Sequence, residues 1–208
     1  MMMKFTFLRY TIYAALTYAL MEFMRYDATI TTDDIKFSES TLVEQGQNIF
    51  LILSLLFLAF TKGYLAVKYI LILIVGLFFI REQDAFLDTT IAEHAWKFLC
   101  GIYAIVIGYK IYKIRKSIKS EVEEFIKTSP SGIIFLGFVT LLIFSRMFGR
   151  KKFWKAVEGS EDYTRSVKNA AEECTELFGY FLILVGIAEF YALTKSTVEE
   201  NKFVTVTK

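Results

Sequence analysis

Six continuous apolar stretches constrain this chain most, at about residues 5–24, 41–61, 63–80, 91–112, 132–148 and 171–194. Each is near the roughly 17–25 residues that a helix needs to cross about 30 Å of hydrocarbon. Membrane strands alternate apolar and polar positions, and these runs do not, so a β-barrel does not fit. A soluble fold would need six core helices in 208 residues, 55% of them hydrophobic, with too little polar surface to cover them. The predicted class is therefore an all-α integral membrane protein, a bundle of six transmembrane helices forming a single polytopic domain over residues 1–208.

Lys4 and Arg9 ahead of an apolar run resemble the start of a signal peptide, but Leu20, Met21 and Glu22 end that run without a small-x-small cleavage signal. It reads as the first membrane helix. A long polar loop follows, in which Ser40 or Thr41 can cap the second helix with Glu44 close behind. Thr61-Lys62-Gly63 makes a tight hairpin between the second and third helices. The fourth helix is expected to continue past the bilayer through Lys119, Glu123 and Lys127 at i, i+4 spacing, and to stop near Ser129-Pro130. Phe148, Phe153 and Trp154 among Arg150, Lys151, Lys152 and Lys155 read as an interfacial element that Gly159-Ser160 breaks, with a long helix running from Glu161 into the last span. Paired Gly/Pro interruptions, the mark of transporters with broken helices, are absent, so continuous helices are expected.

With six crossings, the face that holds the N-terminus carries 13 of the 24 Lys and Arg but only 6 of the 22 Asp and Glu. The small excess of positive charge leans toward a cytoplasmic N-terminus in a plasma or inner membrane.

On the acidic face every helix presents a charged terminus. Between the third and fourth runs stands "REQDAFLDTTIAEH", with Arg81, Glu82, Asp84, Asp88, Glu93 and the chain's one histidine, His94. A helix continuing past Ile80 would show Arg81, Asp84 and Asp88 on one side, and Glu93 and Lys97 stand at i, i+4. Arg146 ends the fifth run, while Arg165, Lys168, Glu172, Glu173 and Glu176 lead into the sixth. Acids at that boundary are costly unless they pair or face a wet cavity.

Three readings stay open. In the first, Arg81, Lys97, Arg146, Arg165 and Lys168 neutralise the acids and fix helix packing. In the second, the acids line a vestibule for a cation, as acid rings do in pores. In the third, His94, Asp88, Glu172 and Glu176 hold a divalent metal such as Mg, Mn or Zn in a membrane enzyme. The leading functional expectation is cation or proton handling; the alternatives are a non-catalytic subunit or oligomeric effector, and the metal enzyme. A vestibule should show a polar cavity reaching Glu172. A packing network should show each acid within reach of a base.

Toward the other face, Arg9, Lys68 and Glu189 interrupt apolar runs, and a buried pair, Lys68–Glu189 or Arg9–Glu189, accounts for them. Cys100 and Cys174 read as packing residues, with a disulfide the alternative. No recognised catalytic motif is present: there is no GxGxxG, P-loop or G-x-S-x-G, and one histidine excludes histidine-rich metal chemistry and a bis-histidine haem. The expected partners are the lipid bilayer and either a second copy of the chain or another membrane protein. The basic runs 110–119 and 150–155 suit anionic headgroups rather than nucleic acid.

Overall fold

An apolar stretch in hydrocarbon must pair its backbone groups within itself, and a helix does so. The computed structural model describes residues 2–31, 36–37, 41–159 and 164–206, with side chains for those lying between 7 and 196. Its elements are α1 (Met2–Ile30), α2 (Leu42–Phe60), α3 (Leu65–Glu82), α4 (Asp84–Thr90), α5 (Ala95–Lys113), α6 (Arg115–Ile126), α7 (Ser129–Val139), a π-helical turn (Thr140–Phe144), α8 (Ser145–Phe148), α9 (Lys151–Glu158) and α10 (Arg165–Val206). Among the described residues there is no strand, and the all-α class holds.

Among the described residues, three helical stretches are long and apolar enough to cross a membrane: Leu42–Phe60, Ser129–Phe148 and Arg165–Ser196. A fourth appears if α4 and α5, bent by 113°, count as one span. This is fewer than the six expected, and charge is the reason. The 18 residues of α3 include Lys68, Arg81 and Glu82, while α1 mixes Arg9 and Glu22 with tyrosines and threonines. The run expected at 91–112 also starts late. His94 takes a left-handed φ of 66° and α5 begins only at Ala95. Helices are not all continuous either, since the Ser129–Phe148 stretch contains the π turn. Ser40, Ser160 and Glu161 lie outside the described residues.

Contacts group the chain into two compact units, Met1–Gly46 with Thr140–Phe178, and Gln47–Val139 with Gly179–Lys208. In the first, Leu20, Met24, Val43, Ala171 and Leu177 are buried. Trp154 donates its indole N–H to Phe148 O at 2.7 Å, and the Phe148 ring meets the Phe153 and Trp154 rings at 5.7 and 5.2 Å. That fixes α9 as the expected amphipathic element, with Phe153 and Val157 still exposed.

In the second unit Leu51, Leu58, Val75, Ile183, Ile187 and Phe190 form the core. Glycines let helices touch there. A Cβ on Gly137 would come within 2.7 Å of Ile183 Cγ1, and one on Gly186 within 2.5 Å of Ile134 Cγ1, so α7 and α10 meet backbone to backbone as small residues permit in membranes. The α2–α3 hairpin needs Gly63 at φ 85° and forces Tyr64 to φ 46°. Beyond α5, α6 ends at Ile126, and Pro130 sits in the first turn of α7, where its missing N–H costs nothing.

Candidate functional site

The charged layer is built from α8 and α10 in the first unit. Lys168, Glu172 and Glu176 recur every four residues and so lie on one stripe of α10. Arg146 faces that stripe: its guanidinium is 3.4 Å from Glu172 Oε1 and 3.7 Å from Glu176 Oε1. Lys168 closes on the second oxygen of Glu172. Two bases thus meet two acids, and the deeper acid, Glu176, has a side chain only 6% exposed. Ser145 Oγ lies 2.7 Å from Leu141 O and 3.3 Å from Glu176 Oε1. Gly149 permits the approach, because a Cβ there would fall 2.8 Å from Glu172 Cβ.

A third acid of this unit, expected only as one of the charges at the end of the first helix, caps a neighbouring helix. Asp27, on α1 and 2% exposed, accepts hydrogen bonds from the Val43 and Leu42 backbone N–H groups at 3.1 and 3.3 Å. It caps α2, beside the weaker Thr41 Oγ1 contact to Glu44 N at 3.5 Å. A carboxylate at a helix N-terminus meets unpaired donors and the positive dipole end. The only signal in the sequence was an acid ending one apolar run shortly before the next.

In the second unit, Glu82 takes the Arg81 guanidinium at 2.6 Å and the phenolic hydrogen of buried Tyr180 at 2.7 Å. Gln83 Nε2 donates to Asn48 Oδ1 at 2.5 Å. The expected Arg81–Asp84–Asp88 face does not run on one helix, since α3 ends at Glu82 and α4 begins at Asp84. Asp84 turns to its neighbour, accepting from Ala85 N at 2.7 Å, and Asp88 Oδ1 is buried with no hydrogen-bond partner among the described residues. Glu93 and His94 are exposed and 3.8 Å apart. Lys97 lies over the Trp96 ring at 5.5 Å rather than on a shared turn with Glu93.

Of the residues expected to form the buried pair, Lys68 finds acceptors on α2. The Lys68 ammonium donates to Ala59 O and Thr61 O, each at 2.9 Å, and so caps the last turn of α2. Arg9 lies over the Tyr10 ring at 5.7 Å, and Glu189 is half-buried on α10. At the same hairpin, Glu121 accepts from Ala66 N at 2.7 Å. A hydrogen bond to Glu124, helped by burial and by the charges of Glu124 and Glu121, pushes the Tyr64 hydroxyl up to about 12. The acids of α6 therefore hold the start of α3.

Of the four expected metal ligands, Glu172 and Glu176 stand in the first unit, and Asp88 and His94 in the second. Among the described residues, no three His, Cys, Asp or Glu side chains group as ligands for a metal ion. Arg165 is exposed and Glu173 half-buried at the start of α10. Cys100 and Cys174 are free thiols. No known protein family, curated protein or solved structure matches this chain.

Proposed function

We propose that this protein is a non-catalytic integral membrane protein that acts by assembling in the bilayer, its charged layer serving packing and partner contacts. The observation that carries the reading is Arg146 seated against Glu172 and Glu176, with Lys168 and Ser145 completing the set. Acids answered one by one by bases and hydroxyls are a locking device, since a carboxylate in transit needs water or exchangeable ligands. Six crossings with a cytoplasmic N-terminus remain the topology proposed. The 29 residues of α1 and 18 of α3 suffice in length, and the Lys68 charge is met by α2 carbonyls. The partner is a second copy or another membrane protein.

The test is a paired measurement on Arg146→Gln and Glu176→Gln. Loss of thermal stability in both, a multi-chain mass by light scattering, and no cation flux in liposomes support the reading. Wild-type flux that Glu176→Gln abolishes would replace it with ion handling.

One observation favours cation or proton handling as a second reading. A buried carboxylate oxygen with no partner among the described residues, as at Asp88 Oδ1, is unusual unless something binds there. Flux that is lost in Asp88→Asn would support it.

A further inference from the structure

Beside the ion pairs of the first unit lies a cavity of about 880 Å³ that the charged layer does not use. Its volume falls within the roughly 300–1,000 Å³ of small-molecule sites. It follows α1 from Thr17 to Ala28, about 16 Å at the helical rise. The facing wall is α10 at Cys174, Thr175 and Phe178, and the π turn at Thr140 and Phe144. A π turn inside a helix often marks a functional site, and this one borders the cavity.

The wall is apolar even where its residues are not. Thr17 and Thr175 direct their hydroxyls to carbonyls of their own helices at 2.8 and 2.6 Å. Among the described residues that line it, the ionised groups are Glu22 and Arg25, paired at 2.6 Å, with side chains 42% and 71% exposed at the rim. The open side is bordered by Met21 and Phe144, 60% and 55% exposed.

We infer that this cavity binds one acyl chain of a zwitterionic phospholipid, with Arg25 taking the phosphate and Glu22 the ammonium of the headgroup. An anionic lipid would meet Glu22 unfavourably, whereas a headgroup with one charge of each sign matches both residues. The inference rests on the membrane location alone and stands whether or not the protein assembles.

The test uses the full chain in phosphatidylcholine vesicles carrying a diazirine-acyl phosphatidylcholine, with crosslinks mapped by mass spectrometry. Labelling should concentrate on Met24, Phe37 and Cys174, and fall about tenfold, the effect of some 1.4 kcal/mol of affinity, in the cavity-filling variant Thr175→Phe. A Glu22→Gln/Arg25→Gln variant, which leaves the cavity intact, should lose labelling by this probe but not by a diazirine diacylglycerol. Labelling spread evenly over the exposed α1 residues Phe7 and Ile12, and unchanged by Thr175→Phe, would mean ordinary bilayer lipid and overturn the site. Equal loss or equal retention of both probes in the rim variant would overturn the headgroup assignment.

Discussion

Tyr180 on α10 donates its hydroxyl hydrogen to Glu82 on α3 across 2.7 Å, while Arg81 holds the same carboxylate oxygen from the other side at 2.6 Å. Tyr180 is 1% exposed, so water does not readily take over its end of the bond. Tyr180→Phe keeps the ring against Phe78 but removes the donor. Loss of one hydrogen bond to a charged group should cost about 1.5–3 kcal/mol, read as a lower thermal midpoint by circular dichroism in detergent. An unchanged midpoint would show that Arg81 alone satisfies Glu82.

Asp27 should be among the most sensitive acids. Asp27→Ala leaves two N–H groups of α2 without their acceptor, and removing a cap costs about 0.5–2 kcal/mol. Asp27→Asn retains one carbonyl oxygen and should lose less. Equal stability of both variants with the wild type in thermal melts would refute the capping role.

Where α7 meets α10, small residues set the separation. Gly137→Val and Gly186→Val would each push a side chain into backbone or Ile neighbours, and overpacking of this kind costs about 1–3 kcal/mol. Gly101→Val should be tolerated, because none of the described residues lies within 4 Å of a Cβ there. Expression and melting midpoint of the three variants in parallel give the comparison.

The Tyr64 hydroxyl predicts an alkaline transition. Its value in the fold, about 12, stands above the ordinary value near 10. The neutral form is therefore the one the fold favours. Its contribution is complete below pH about 10 and is lost as pH rises toward 12. Stability should fall across that window, and Tyr64→Phe should remove this part of the fall. An ultraviolet titration in which the wild type and Tyr64→Phe show the same rise of tyrosinate absorbance toward pH 12 would contradict it.

The positions of the long helices were legible because burying a backbone in hydrocarbon leaves few alternatives. The expected second and third runs, 41–61 and 63–80, match Leu42–Phe60 and Leu65–Glu82 to within two residues at each end. The ion pairing of Arg146 with Glu172 and Glu176 was also within reach, since all three belong to termini expected on one face. Charge spacing misled where it assumed a continuous helix. Arg81, Asp84 and Asp88 fit one stripe on paper, yet the chain turns at Gln83, and His94 starts α5 from a left-handed conformation that no periodicity announces.

By itself, then, the sequence determined the all-α class and the approximate positions of the second and third helices, because those follow from local hydrophobicity and the requirement that every backbone group be paired. Only the tertiary structure decided the partners. Lys68 turned to carbonyls of α2, Asp27 to amides at its other end, Tyr180 to Glu82, and a π turn shaped the wall of an apolar cavity. A polar group in a poor solvent takes the nearest group that can answer it, and which group is nearest is set by how helices pack, not by where residues stand along the chain.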